Sequence, residues 1–158
     1  MTAPSDSSDG ATIWIDGDAA PKACKEIVYK ASRRTKKPVI IVANRGQVIP
    51  KMPTVRFIQV GSGADVADDY IADHCQPGDL VLTADIPLAA RVIEAGGTVL
   101  RFRGEPLTEA NVRQRLNMRD FMDELRGEGV LTGGPPPYGT KEKQRFANAL
   151  DRWLSRNR

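Results

Sequence analysis

The chain has 158 residues, of which 41% are hydrophobic and 27% charged, and its formal net charge is +3 at pH 7. This composition is typical of a globular domain with a sizeable core. The mildly basic balance permits an anionic partner without requiring one. The longest strictly apolar run, Val39 to Ala43, is far shorter than the roughly 20 residues that cross a membrane, so we expect no membrane span.

The two cysteines, Cys24 and Cys75, show neither metal-ligand nor redox spacing. Both fall on apolar helix stripes, so we expect buried free thiols and a cytoplasmic protein, because thiols stay reduced in that compartment. Residues 1–11 are polar and lack the apolar segment of a signal peptide, and we expect a disordered leader. Residues 12–156 are predicted to form a single domain; the pattern says nothing about oligomeric state.

Strands and helices alternate along the rest of the chain. The predicted strands are 12–15, 39–43, 55–60, 79–83 and 98–102. The predicted helices are 21–33, 65–75, 86–95, 108–126 and a last one capped by Thr140. This order predicts an α/β fold: a mainly parallel five-stranded sheet with helices on both faces, followed by C-terminal helices. Among the predicted strand pairings, the parallel pairing of the second and third strands has the weakest support. The eleven residues from Asn44 to Thr54 that connect them are a short crossover and show no helical periodicity.

The helix predicted at 65–75 is amphipathic. Ala67, Tyr70, Ile71 and His74 share its apolar face, whereas the acidic residues lie opposite. His74 is the only histidine of the chain, and on this face it is expected to be buried in packing. Histidine acid–base chemistry is therefore not predicted.

Acidic side chains follow three of the predicted strands. The first strand runs directly into Asp16 and Asp18, the third leads through a glycine-containing turn to Asp65, and the fourth leads to Asp85. Carboxyl ends of parallel strands meet at one edge of the sheet, and open α/β sheets bind ligands there. Four carboxylates brought close together repel one another unless a cation neutralises them, and clusters of hard oxygen ligands suit Mg²⁺ or Mn²⁺.

Helix capping is the competing explanation of these acids. Asp65 and Asp85 stand where N-caps are expected, and Asp68 occupies the third helical position of a capping box. Taken singly, each of these acids is better explained as a cap than as a ligand. Capping does not explain the doublet of Asp16 and Asp18, however, nor the convergence of all the acids on one edge.

Several segments together resemble the YaiI/YqxD family of bacterial proteins. They read WIDGDAAPK, GADVADDYI, PGDLVLTADIPLA, MRDFMDELR and LTGGP, and the resemblance runs from about Thr12 to Trp153. The family is usually grouped with PIN-like nuclease domains, so the resemblance implies a PIN-like fold with an acidic, divalent-metal site. Carried over by position, its acidic residues are Asp16, Asp18, Asp65, Asp68 and Asp85. Relatives often read Asp-Ala-Asp-Ala-Cys-Pro where this chain has Gly17 and Ala20, so a thiol is missing there while the carboxylates remain.

The predicted function is a divalent-metal-dependent nuclease that hydrolyses phosphodiester bonds, with single-stranded RNA favoured as substrate. Metal ions held by carboxylates activate a water molecule and stabilise the leaving oxygen. The predicted catalytic residues are Asp16, Asp18, Asp65, Asp68 and Asp85, and all except Asp18 are predicted to bind Mg²⁺ or Mn²⁺. Basic residues near this edge are expected to bind the nucleic-acid backbone. They are Arg45, Lys51, Arg103, Arg115, Arg119 and Arg126.

Two alternatives remain open at this point. A strand that ends in Asp-x-Asp also describes phosphatases with an aspartyl nucleophile, although such a fold needs a further lysine and a later acidic pair. A non-catalytic module of the same fold that only binds RNA or a nucleotide is the second alternative. Nucleic-acid affinity that is independent of metal, without cleavage, would distinguish that module from a nuclease.

Overall fold

A computed structural model of the protein describes residues 11–63, 65–117 and 137–157. Six strands form one sheet in the order β3-β2-β1-β4-β5-β6. They are β1 (Ile13–Asp16), β2 (Val39–Ala43), β3 (Val55–Gln59), β4 (Leu80–Leu82), β5 (Thr98–Leu100) and β6 (Pro106–Leu107). The first five are parallel, and β6 runs antiparallel to β5. The mainly parallel α/β sheet is confirmed, with one more strand than the five predicted.

Helices cover both faces of the sheet, as predicted. They are α1 (Lys22–Thr35), α2 (Val66–His74), α3 (Ile86–Glu94), α4 (described over residues 109–117) and α5 (Thr140–Arg156). One core lies between the sheet and α1 with α5, and the other lies beneath α2, α3 and α4. The predicted leader up to residue 10, the remainder of the helix predicted at 108–126 and most of the following loop lie outside the described residues. Each helix in the described ranges is too short or too polar to cross a bilayer.

Side-chain alternation along the central strands decides which face the functional residues occupy. In β1, Ile13 and Ile15 belong to the core beneath α1 and α5, whereas Trp14 belongs to the opposite core. Because successive side chains of a strand point to opposite faces, Asp16 falls on the face covered by α2 and α3. The same alternation in β4 places Thr83 on that face, next to Asp16.

The parallel pairing of β2 with β3 is confirmed, with Val39 opposite Val55 and Ala43 opposite Gln59. The connection between them contains no helix. Ile49 and the side chain of Met52 instead pack against the core beneath α1 and α5. This irregular segment therefore covers the sheet in the way that a crossover helix normally does, which explains why eleven residues suffice.

A buried aspartate joins the elements at the amino edge of the sheet. Asp79, just before β4, accepts hydrogen bonds from the Thr12 backbone N–H at 2.9 Å and from the Trp14 indole N–H at 3.0 Å. The backbone N–H of Gln76 donates a third at 2.8 Å. Three donors around one carboxylate satisfy most of its hydrogen-bonding capacity, so the role of Asp79 is structural.

Both cysteines are buried and free, as predicted. The Cys24 thiol donates to the Phe102 carbonyl oxygen at 3.3 Å, and the Tyr138 hydroxyl donates to the same oxygen at 2.7 Å. Burial raises the pKa of Cys24 to about 11, an effect that its hydrogen bond with Tyr138 only partly opposes. Since the thiolate is the reactive form, Cys24 is an inert core residue.

Two local predictions were wrong. His74 is exposed, and its ring stacks on Tyr70 with the centroids 3.9 Å apart. Because α2 ends at His74, the next residue, Cys75, turns into the core in its place. Thr140 is the first residue of α5 and not its cap; Gly139 is the cap, and its N–H donates to a carboxylate oxygen of Glu142 at 2.7 Å.

Alanine substitutions at two glycines with positive φ should lower the stability of the protein by different amounts. Gly104, in the turn between β5 and β6, has φ +90°, and a Cβ there would lie 2.6 Å from the backbone carbonyl carbon of Arg145 in α5. Gly78 has φ +91° but faces open space. Alanine at either position incurs backbone strain of about 1–3 kcal/mol. We expect Gly104→Ala to lower the free energy of unfolding by at least about 1 kcal/mol more than Gly78→Ala, because the turn must also move away from α5. Urea denaturation measures both losses, and equal losses would show that the packing against Arg145 is unimportant.

Candidate functional site

The candidate site lies where the direction of the sheet reverses. β1 has β2 on one side and β4 on the other, and the chain proceeds from β1 to one edge and from β4 to the opposite edge. A crevice forms at such a switch point, outside the carboxyl ends of the strands, and it is the usual ligand site of open α/β sheets. Asp16 is the last residue of β1, and Thr83 follows β4 directly.

A chain of hydrogen bonds links the two strand ends. The hydroxyl of Thr83, which is completely buried, donates to a carboxylate oxygen of Asp16 at 2.9 Å. The same hydroxyl accepts from the backbone N–H of Asp85 at 3.0 Å. Asp85 is the N-cap of α3, and its Oδ1 accepts from the backbone N–H of Leu88 at 2.8 Å. Thr83 was not among the predicted site residues; its only signal is a hydroxyl at the end of an apolar strand.

Asp68, in the first turn of α2, completes an acidic triad with Asp16 and Asp85. Partial burial raises the pKa of Asp68 to about 7, assisted by the charges of Asp85 and Asp16, a hydrogen bond with the Asp85 carboxyl group and the charge of Asp65. Burial also raises the pKa of Asp16, which is 8% exposed; the Thr83 hydrogen bond opposes this shift, and the charges of Asp85 and Asp18 add to it. The structure thus brings Asp16, Asp68 and Asp85 together, and Asp65, the acid expected after the third strand, acts on this group through its charge on Asp68.

Two further acids lie beside the triad: the charge of Asp18 acts on Asp16, and the charge of Asp65 acts on Asp68. Both are exposed, and Asp18 accepts a hydrogen bond from the backbone N–H of Asn44, just after β2, at 2.8 Å. Asp65 occupies the N-cap position of α2, but its side chain makes no capping hydrogen bond, so the competing explanation by helix capping does not account for it. The neighbouring Asp69 pairs with Arg91 of α3 at 2.7 Å and belongs to the surface of the helices.

The donor set of the site consists of hard oxygen atoms. In the described ranges, no lysine or arginine forms an ion pair with Asp16, Asp68 or Asp85. Those same ranges contain no group of three or more His, Cys, Asp or Glu side chains already arranged to hold a metal ion. Mg²⁺ typically keeps several waters and takes only one or two protein carboxylates, so a complete protein cage is not required for it. The unneutralised carboxylates of Asp16 and Asp85 fit a hydrated Mg²⁺ or Mn²⁺ ion.

The predicted nucleic-acid-binding residues occupy different parts of the molecule. Arg45 is exposed just after β2, at the carboxyl edge. Lys51 adjoins Met52, whose sulfur accepts a hydrogen bond from Arg33 near the end of α1 at 3.8 Å. Because α1 runs back from the carboxyl edge, this contact places Lys51 near the amino edge, and the carboxyl-edge position expected for it is wrong. Arg119 and Arg126 lie outside the described residues.

Two further predicted arginines contact acidic partners near the carboxyl end of β5. Arg103 lies 3.8 Å from Glu142, and its guanidinium carbon is 5.8 Å from the ring centroid of Tyr138. Arg115 of α4 forms an ion pair with Glu105. The other carboxylate oxygen of Glu105 accepts from Arg101 at 3.0 Å. One glutamate thus lies between two arginines beside the switch point.

Comparison with known proteins gives a consistent family assignment. The family model described as "Uncharacterized BCR, YaiI/YqxD family" matches residues 14–156. A protein named UPF0178 from Shewanella baltica is 52% identical over 144 residues, which is 91% of this chain and 96% of the relative. A UPF0178 protein from Cronobacter sakazakii is 52% identical over 90% of this chain and 95% of its own length. Another, from Psychromonas ingrahamii, is 52% identical over 92% of this chain and 96% of its own length. No solved structure shows a significant match.

The triad predicts an unusual dependence of stability on pH. Burial and the neighbouring carboxylates raise the pKa of Asp68 from its ordinary value of 3.8 to about 7 in the folded protein, so between about pH 4 and 7 the folded state binds more protons than the unfolded state. The free energy of unfolding of the metal-free protein should therefore fall as the pH rises through this window and level off above it. Asp68→Asn removes the titrating group and should flatten the decline. Urea denaturation in EDTA at several pH values measures it; an identical decline in the variant would mean that other groups cause it.

Proposed function

The chain belongs to the YaiI/YqxD family, and from the chemistry of its own site we propose that it is a divalent-metal-dependent nuclease that hydrolyses RNA. The observation that carries this proposal is the acidic triad at the switch point of the sheet. Buried and half-buried carboxylates that raise one another's pKa create a strong local demand for a cation.

Each acidic residue has a distinct part in the proposed reaction. Asp16 and Asp85 would hold the cation, and Thr83 fixes the orientation of Asp16 by donating to one of its oxygens. A bound Mg²⁺ or Mn²⁺ ion would supply Lewis acidity for the scissile phosphate. The exposed Asp18 and Asp65 add negative potential at the rim of the site.

Asp68 is the proposed general base. A general base must be ionised at the working pH, and without a cation burial and acidic neighbours raise the pKa of Asp68 to about 7, so that it is only partly ionised near neutral pH. Its carboxylate accepts a proton from the attacking water in this scheme. A cation nearby lowers that pKa, so the fraction of ionised Asp68 rises when the site is loaded.

The alternative with an aspartyl nucleophile fits the geometry less well. An attacking carboxylate needs a free oxygen directed at an incoming phosphate. Asp16 is buried, and one of its oxygens accepts from Thr83. Asp18, the second acid of the Asp-x-Asp motif, accepts a hydrogen bond from the backbone N–H of Asn44 at 2.8 Å, so one of its oxygens is also engaged.

The proposed activity is tested by cleavage of a labelled single-stranded RNA with Mn²⁺ or Mg²⁺. We expect slow cleavage by the parent and none by Asp16→Asn, because the variant loses a cation ligand while its amide still accepts from Thr83. Asp151→Asn is the matched control, since Asp151 is exposed on α5 and pairs with Arg34 on the surface. Equal cleavage by all three proteins would identify a contaminant. RNA binding without any cleavage would favour the non-catalytic module.

Metal binding is tested without knowledge of the substrate. At ten times its dissociation constant, a cation that binds only the folded state stabilises it by about 1.4 kcal/mol. For a domain of this size, that raises the melting temperature by roughly 3–6 °C. Asp85→Asn should melt at or above the parent without metal, because one repulsive charge is lost and Asn caps a helix nearly as well as Asp. Its response to Mg²⁺ or Mn²⁺ should shrink. If the melting temperature of the parent is insensitive to both ions, the aspartates do not form a metal site.

A further inference from the structure

We propose that Arg101 and Arg115 form a clamp for a backbone phosphate of the substrate, and that Glu105 occupies this clamp in the free protein. This inference rests on the proposed nuclease function and names the residues that position its substrate. The proposal is based on the carboxylate of Glu105, which contacts two guanidinium groups. One of its oxygens lies 3.0 Å from Arg101, and the other contacts Arg115. A phosphate offers the same two oxygens at similar spacing, and guanidinium groups bind it in the same geometry.

The turn between β5 and β6 fixes the clamp. The backbone N–H of Arg101 donates to the carbonyl oxygen of Glu105 at 2.8 Å, and the N–H of Gly104 donates to the carbonyl oxygen of Arg101 at 2.9 Å. The turn is anchored on α5 through Gly104, where even a Cβ would not fit. Arg101 and Glu105 are therefore held on a rigid element, and only Arg115 approaches from another one, α4.

The clamp lies beside the acidic triad. The backbone N–H of Thr83 donates to the carbonyl oxygen of Leu100 at 3.3 Å, and Arg101 is the next residue. Val99 belongs to the core beneath α2 and α3, so alternation places Arg101 on that same face, with Thr83 and Asp16. The clamp and the triad therefore lie on one face of the sheet at neighbouring strand ends, so a nucleic-acid backbone that follows this edge meets both.

The charges favour exchange of Glu105 for a phosphate. Two guanidinium groups face one carboxylate, which leaves an excess positive charge. The side chains of Arg115 and Glu105 are 41% and 36% exposed. Ion pairs at that exposure are weak, and a multiply hydrogen-bonded phosphate can displace the carboxylate.

The test measures binding of a fluorescent oligouridylate in EDTA over a series of NaCl concentrations, with the melting temperature of every variant recorded. For single strands, each phosphate contact contributes about 0.7 to the slope of log affinity against log salt. We expect Arg115→Gln to weaken binding and to reduce the slope by about 0.7. Glu105→Gln should strengthen binding about two- to fivefold, the range expected for loss of a competing exposed carboxylate, with the slope unchanged. Arg101→Lys, which keeps the charge, should retain the parental slope.

The control is Arg113→Gln. Arg113 lies on the same helix as Arg115 but pairs with Glu109 in solvent, so its removal should leave both affinity and slope unchanged. A slope for Arg115→Gln equal to that of Arg113→Gln, or weaker binding by Glu105→Gln, would overturn the clamp. Because binding is measured without cation, this result is independent of cleavage. A protein that cuts RNA but shows no slope change lacks the clamp, whereas one with the expected slopes and no cleavage has the clamp and lacks the nuclease.

Discussion

The hydrogen bond from Thr83 to Asp16 is the interaction on which the site depends. It joins the carboxyl ends of the two strands at which the sheet changes direction, and it holds a carboxylate that is 8% exposed. The same hydroxyl accepts from Asp85 and so sets the start of α3 relative to β1. Register in a sheet is fixed by which face each residue occupies, so a shift of β4 by one residue would turn Thr83 to the opposite core and separate the acids.

Helix termini and mutual repulsion act in opposite directions on these acids. Asp68 lies in the first turn of α2 and Asp85 caps α3, and a helix N-terminus stabilises a nearby anion by about 0.3–1 kcal/mol. The pKa of Asp68 is nevertheless raised to about 7, so burial and like charge outweigh the helix dipole. Asp85 caps α3 through its Oδ1 and also belongs to the acidic triad, so a capping role does not exclude the ligand role that we propose for it.

Periodicity predicted the sheet, its layers and the edge that carries the acids, because strand alternation and helix stripes are local consequences of burial. It failed where position depends on the path of irregular chain. β6 is two residues long and includes Pro106, so no pattern marks it. Lys51 lies near the amino edge because its loop crosses the sheet. His74 is exposed because α2 ends at this residue, and the next residue, Cys75, makes the contact with the core. Thr83 was missed because a single hydroxyl has no periodicity.

Two buried aspartates differ in how fully their surroundings satisfy them, and this difference favours the carboxyl edge as the candidate functional edge. Asp79 and Asp16 are 5% and 8% exposed, so each has lost nearly all of its contact with water. Asp79 recovers that loss through three N–H donors, whereas Asp16 has a single side-chain donor among the described residues, Thr83. Asp16 also faces the charges of Asp85 and Asp18, which raise its pKa after burial itself. The hydrogen bonds from backbone and indole N–H groups are sufficient to stabilise the buried carboxylate of Asp79. Asp16 is buried with few hydrogen-bond donors and with negative charges nearby, so its carboxylate is stabilised only by a proton or a cation.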